Sequence, residues 1–97
     1  MIIVWGRIEA KAEHMEEVLR VSLEHVHRSR KEPGCIRHSV QTDVENPNSL
    51  VFNEEWQDMA ALQTHFQVPA SGQFVAGLSD LVIGGPEMKI YEAVAVA

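Results

Sequence analysis

The sequence predicts an α+β fold in which four strands form one antiparallel sheet and the helices cover one face of it. Three observations lead to this prediction. Apolar residues alternate with a period of two in four segments, as in strands. Between these segments they recur at the three- and four-residue spacing of helices. The resulting order is βαββαβ, with the second helix split in two, which is the ferredoxin-like arrangement.

The first strand is predicted over Ile2–Ala10, where β-branched residues are frequent. Both of its faces are partly apolar, so we expect it to lie in the centre of the sheet. The first helix is predicted over Lys11–Lys31. Acidic residues lie near its start and basic residues near its end, as the helix dipole favours. The Pro33-Gly34 pair ends this helix.

A hairpin is predicted to follow the first helix. Residues Cys35–Val44 and Ser49–Gln57 alternate as strands, and Glu45–Asn48 has the composition of a turn. On the first of these strands, the alternation puts Ile36 and His38 on the same face. On the second, it gives one face four large or charged side chains: Leu50, Phe52, Glu54 and Trp56.

The last third of the chain is predicted to contain a divided helix and a final strand. Asp58 can cap a helix over Met59–Gln67, because its carboxylate can accept from the free N–H groups of the first turn. Pro69 can begin a second short helix. The Gly84-Gly85-Pro86 sequence ends that helix, and the last strand is predicted over Glu87–Val96.

Composition limits the classes of function. A chain of 97 residues fits one domain over residues 1–97. Its net charge of −6 argues against binding to nucleic acid or to an anionic membrane surface. The single cysteine, Cys35, excludes an internal disulfide framework and is expected to be a buried or half-buried strand thiol. With no secretory signal and no apolar run of about 20 residues, we expect a cytoplasmic protein.

Glu54 is the residue hardest to explain as part of a core. Phe52 and Trp56 flank it on its own face, and burial of a carboxylate is costly unless it is paired or protonated. A salt bridge to Arg7 or Arg37 would solve the problem. The alternative is a carboxyl of raised pKa at the rim of a cavity, able to exchange a proton. The two aromatic side chains either fill the core or form walls of that cavity.

The histidines divide into two groups. His65 follows the core-facing Leu62 by one helical turn, so it can point inward either as a structural residue or as a proton acceptor. His38 can reach a cavity or fill space. The remaining three are expected to face solvent: His14, His25 and His27. No GxGxxG, GxxxxGK[ST], CxxC or HExxH sequence is present, which argues against dinucleotide, P-loop and common zinc chemistry.

Three blocks of the sequence resemble the antibiotic biosynthesis monooxygenase (ABM) domain family. They are Lys31–His38 (KEPGCIRH), Glu54–Asp58 (EEWQD) and Ala60–His65 (AALQTH), in the order and spacing of the family pattern. The resemblance covers essentially the whole chain and implies a dimeric α+β barrel. A homodimer through the sheet face is also expected because the helices leave one partly apolar face of the sheet uncovered.

The resemblance further implies a monooxygenase that uses dioxygen on small quinols or polyphenols without metal, flavin or haem. On this interpretation His65, Glu54 and Trp56 are catalytic. The substrate would be held by four other residues: His38, Phe52, Phe66 and Phe74. Two positions depart from the family pattern, since Ala70 replaces a second histidine and His38 replaces an aromatic residue. A non-catalytic binding module and an isomerase or decarboxylase remain alternatives.

Overall fold

The structure is a computed structural model that describes residues 1–97, and it confirms the ferredoxin-like βαββαβ fold. The strands are β1 (Ile2–Glu9), β2 (Cys35–Asp43), β3 (Asn46–Trp56) and β4 (Glu87–Glu92). The helices are α1 (Met15–Ser29), α2 (Met59–Gln67) and α3 (Pro69–Leu78), and a 3₁₀ turn, Ala12–His14, precedes α1. None of the helices has the length and apolar character needed to cross a bilayer.

The four strands form one sheet in the order β2-β3-β1-β4, and every neighbouring pair is antiparallel. The predicted central position of the first strand is confirmed, since β1 pairs with both β3 and β4. The face of β1 that carries Ile2, Val4 and Ile8 is buried. The residues between them are only half-buried, so the helices cover a single face of the sheet.

Two apolar clusters hold the helices on the sheet. The larger one joins β1 and β3 to α1 and α3, with Val18, Val26 and Leu78 from the helices. The smaller one consists of Ile2, Val4, Trp56 and Leu62, where α2 packs on β1 and β3. Three buried polar side chains, His25 of α1, Glu54 of β3 and His65 of α2, belong to these same elements. Their relative positions therefore depend on this packing.

Several predicted boundaries differ from the observed ones. The helix predicted from Lys11 begins at Met15, and only Val44-Glu45 separates the two hairpin strands. The last strand ends at Glu92 rather than Val96. Its only neighbour is β1, whose first residue, Ile2, pairs with Glu92, so the chain beyond has almost nothing to pair with.

A bulge at the start of β2 changes which residues of this strand share a face. Cys35 pairs with Trp56 and Arg37 with Glu55, so Ile36 is the extra residue. Its side chain is 57% exposed, and the prediction that it shares a face with His38 is wrong. Bulges commonly redirect side chains near functional sites. Here the bulge leaves His38 buried opposite Glu54, and Cys35 packs against the smaller core cluster.

Candidate active site

A cavity of about 700 Å³ lies between the sheet, α3 and the loop before β4. Its wall is mainly apolar, with Val4, Ile8 and Phe52 from the sheet. Five ionisable residues line it: Arg7, His25, Glu54, His65 and Glu87. Three of them are buried and come from three different elements, His25 of α1, Glu54 of β3 and His65 of α2. Mainly apolar pockets with a few convergent polar groups are the usual form of small-molecule sites.

The start of α2 fixes the direction of His65. Asp58 caps the helix as predicted, its Oδ1 accepting from the Ala61 N–H at 2.8 Å. The helix then turns Leu62 and His65, which are three residues apart, toward the interior. The helical spacing of Met59, Leu62 and Phe66 predicts that all three face the core, but only Leu62 is buried, whereas Phe66 is 45% exposed and Met59 is also exposed. Phe66 still lines the cavity.

His65 is paired with Glu32 from the loop after α1. The distance between Nδ1 of His65 and Oε1 of Glu32 is 2.7 Å. An ionised carboxylate can only accept, so Nδ1 carries the proton and Nε2 keeps its lone pair. A histidine oriented in this way can act as a general base. Sequence reasoning missed Glu32, although it lies in the first family block. The only signal was Pro33-Gly34, which turns the chain back.

Glu54 is held by two neighbours on the inner face. Its Oε1 accepts from the indole Nε1–H of Trp56 at 2.8 Å and lies 3.4 Å from Nε2 of His38. The predicted pairing with Arg7 or Arg37 is wrong, because Arg37 lies on the other face and pairs with Glu55.

The expected rise in the pKa of Glu54 is not found. Burial raises the pKa, but interactions with His38, Trp56 and His65 outweigh this effect and hold it below the ordinary value. Glu54 is therefore an ionised carboxylate at neutral pH. It can accept hydrogen bonds and stabilise a nearby positive charge.

Trp56 and His38 lie behind the cavity rather than on its wall. Both are fully buried, and the Trp56 ring lies 4.6 Å from that of His65, centroid to centroid. Nδ1 of His38 has no hydrogen-bond partner, and its Nε2 makes only the 3.4 Å ion-pair contact with Oε1 of Glu54. Trp56 touches both Glu54 and His65 and can position them without touching a ligand.

The prediction that His25 of the first helix faces solvent is wrong. His25 is only 6% exposed, and its ring stacks on Phe74 at a centroid distance of 4.2 Å. The signal in the sequence was its position seven residues after the apolar Val18, on the same helical face. His25 also lies beside His38 and His65, with ring centroids 5.2 and 5.3 Å away.

Arg28 fixes the protonation of His25. A guanidinium nitrogen of Arg28 lies 2.7 Å from Nδ1 of His25. A guanidinium can only donate, so Nδ1 accepts and the proton of the neutral ring is on Nε2. Burial lowers the pKa of His25 to about 3, and repulsion from His38, His65 and Arg28 adds to the effect. His25 is therefore a neutral N–H donor.

A family model described as antibiotic biosynthesis monooxygenase matches residues 1–77. The chain belongs to this family. It is 41% identical over 91 residues to the uncharacterized protein sll1783 of Synechocystis, covering 94% of this chain and 62% of that protein. It is 32% identical over 82 residues to YcnE of Bacillus subtilis, which is named as a candidate monooxygenase, covering 84% of this chain and 86% of YcnE.

Solved structures agree with the family assignment. The crystal structure of a candidate antibiotic biosynthesis monooxygenase from Deinococcus radiodurans superposes with a TM-score of 0.95 at 28% identity, covering 100% of this chain and 96% of that one. A conserved protein from Methanosarcina mazei superposes with a TM-score of 0.88 at 29% identity, covering 93% and 89%.

In this family member the predicted and observed site residues overlap in part. Five of the predicted residues line the cavity: Phe52, Glu54, His65, Phe66 and Phe74. Two lie behind it: His38 and Trp56. Three residues that the sequence did not suggest also take part in the site: His25, Arg28 and Glu32.

Proposed function

We propose that this protein is a cofactor-independent monooxygenase that oxidises small quinol- or polyphenol-type aromatics with dioxygen. The observation that carries the proposal is the Glu32–His65 pair at the wall of an apolar cavity. The carboxylate holds the proton on Nδ1, and the free Nε2 can take a proton from a bound hydroxyl group.

The chemistry needs little more than this from the protein. Triplet dioxygen reacts slowly with neutral singlet molecules, whereas a phenolate can pass it one electron, after which the two radicals combine. A quinol and dioxygen then give a hydroxyquinone and water, so the substrate supplies all four electrons and no external reductant is consumed. The protein has to hold the ring in a water-poor cavity and remove one proton.

Six residues in and around the cavity have roles in this scheme. His65 accepts the hydroxyl proton, and Glu32 stabilises the imidazolium ion that results. The ionised Glu54, positioned by Trp56, adds a second negative charge that favours that ion. Phe52 and Phe74 provide apolar surface for the ring of the substrate.

Oxygen uptake by chelator-treated protein, with a panel of hydroquinones and anthrones, tests the proposal. We expect uptake with at least one of them. His65→Ala should lower the rate by about 10²- to 10⁴-fold, the usual contribution of a general base. Trp56→Phe should have a smaller effect, because it removes only the indole hydrogen bond to Glu54.

His27→Ala, at an exposed position on α1, is the control and should keep the full rate. No uptake with any member of the panel would favour a binding module or an isomerase. An undiminished rate in His65→Ala would remove His65 from the mechanism.

A further inference from the structure

Three buried histidines from three elements meet beside the cavity. They are His25 of α1, His38 of β2 and His65 of α2, and one ring nitrogen from each lies within 4.8 Å of the other two. His25 and His65 also line the cavity. No hydrogen bond joins the three rings. Nδ1 of His38 is buried without a partner, and its Nε2 has only the 3.4 Å approach to Oε1 of Glu54. Such groups are costly to bury, so the cluster is built to receive a polar atom.

The two histidines on the cavity wall present opposite chemistry. Arg28 occupies Nδ1 of His25, which leaves an N–H donor at Nε2. Glu32 occupies Nδ1 of His65, which leaves a lone pair at Nε2. An atom that accepts from the first ring and donates to the second is a hydroxyl oxygen, because it has both a lone pair and a proton.

The spacing favours an oxygen atom over a metal ion. A point central to three nitrogens no more than 4.8 Å apart lies at most about 2.8 Å from each, which is within hydrogen-bond length. Two metal–nitrogen bonds of about 2.1 Å span at most about 4.2 Å, so at a separation of 4.8 Å a metal ion would require the rings to move together. It would also have to displace the Nε2 proton of His25 against the charge of Arg28.

We propose that the three-histidine cluster is the binding site for the hydroxyl group of a phenol-type aromatic. The oxygen accepts from Nε2–H of His25 and gives its proton to Nε2 of His65. His38 is the third polar side chain beside this oxygen. The phenolate that forms keeps the His25 hydrogen bond, while the ring lies in the apolar cavity. Arg28 is a positioning residue, because it acts only through the tautomer of His25. The ligand class rests on the proposed function.

Anaerobic binding of 2-naphthol tests the site without turnover, with 2-methoxynaphthalene as the probe that has no hydroxyl proton. We expect the protein to prefer 2-naphthol. His25→Phe, which can still stack on Phe74, and Arg28→Met should each weaken 2-naphthol binding about tenfold or more and leave the methoxy probe nearly unchanged. The matched controls are His27→Phe and Arg20→Met, both at exposed positions of the same helix.

Histidine ¹⁵N chemical shifts test the tautomers directly in the unsubstituted protein. We expect the proton of the neutral His25 ring to lie on Nε2 in the native protein. In Arg28→Met it should be distributed between Nδ1 and Nε2. A proton on Nδ1 of His25 in the native protein would overturn the proposal, as would equal affinity of native and His25→Phe proteins for 2-naphthol. Tight binding of Zn²⁺ that depends on His25 would overturn it too. Selective 2-naphthol binding without oxygen uptake would overturn only the proposed function.

Discussion

His25 and His65 show how one residue type can take two roles within a single cavity. Their rings are 5.3 Å apart, centroid to centroid, and both are buried. The difference lies in the group that occupies Nδ1, a guanidinium at His25 and a carboxylate at His65. The guanidinium makes Nε2 of His25 a donor, and the carboxylate makes Nε2 of His65 an acceptor. The surrounding charges therefore set the chemistry of each ring.

Substitution of Glu32 should affect catalysis more than folding. In Glu32→Gln the amide no longer carries the charge that stabilises a protonated His65. We expect the rate of oxygen uptake to fall about 10- to 100-fold, which corresponds to one charge-assisted hydrogen bond. Steady-state oxygen uptake measures the effect, with Glu13→Gln as the exposed control. A rate within twofold of the unsubstituted protein would show that Glu32 does not support His65.

Stability should decrease in mild acid because of His25. Its pKa is about 3 in the folded protein against 6.5 as the ordinary value, so the unfolded chain takes up the proton first as the pH falls. The free energy of unfolding should therefore drop from pH 6.5 downward, by up to about 1.4 kcal/mol per pH unit. Urea unfolding between pH 7 and about 5.5 measures the slope, above the range in which the carboxyl of Glu54 takes up a proton in the unfolded chain.

The matched variants isolate the contribution of His25. His25→Gln should show a flatter pH dependence than the unsubstituted protein, whereas His27→Gln, at an exposed position, should keep the original slope. Equal slopes in all three proteins would contradict the buried, neutral state of His25.

The sequence predicts the single residues of the site better than their partners. Glu54 and His65 follow from periodicity, because each lies among core-facing neighbours of its own element. The contact between Glu32 and His65 joins residues 33 positions apart, and periodicity carries no information about such pairs. The burial of His25 could have been predicted from its helical spacing to Val18.

At the scale of elements, the junction between the loop after α1 and helix α2 sets the geometry of the Glu32–His65 pair. Gly34 has a φ of +82°, and its carbonyl accepts from the Gln57 N–H at 2.8 Å. A Cβ at this position would lie 2.5 Å from the Cβ of Ala61 on α2. Glycine is therefore needed both for the turn and for the close approach of loop and helix.

Gly34→Ala and Gly84→Ala form a matched pair, because both glycines have a positive φ but only Gly34 is crowded. Gly84→Ala should cost about 1 kcal/mol for the backbone conformation. Gly34→Ala should cost about 1–3 kcal/mol more through overpacking against Ala61, and it should also lower activity by moving Glu32. Chemical denaturation measures both. Equal losses of stability would contradict the role of the close contact.

Element boundaries were less predictable than element types. The alternation of residues 35–44 correctly indicates a strand, but a bulge at Ile36 interrupts it and shifts one residue to the other face. No pattern within the strand predicts the bulge, because the bulge depends on the pairing of β2 with β3. The helices were easier to assign, since capping at Asp58 and the Pro33-Gly34 sequence are local signals.

At the scale of the whole molecule, the helices leave one face of the sheet and the edge strand β4 open. The open face carries the half-buried Ile3, Trp5 and Val51 together with the exposed Tyr91. On the other face, Met88 and Ile90 of β4 are also exposed, because no helix covers them. We propose that a second copy packs against the open face of the sheet, which would remove this apolar surface from water.

The proposed homodimer can be tested with one charge placed on the open face. Trp5→Glu should convert a dimer into a monomer in sedimentation equilibrium, because an unpaired carboxylate at such an interface is costly. Val44→Glu, at a turn position that is 99% exposed, should leave the dimer intact. A monomeric unsubstituted protein at micromolar concentration would contradict the proposal.

The most direct test of the central claim is the fate of isotopically labelled dioxygen. The chelator-treated protein is incubated with its best quinol under ¹⁸O₂, and the product is analysed by mass spectrometry. A monooxygenase mechanism predicts one ¹⁸O atom in each hydroxyquinone molecule, formed at a rate that falls by at least about 100-fold in His65→Ala. Product without ¹⁸O, or labelled product formed equally fast by His65→Ala, would contradict the account.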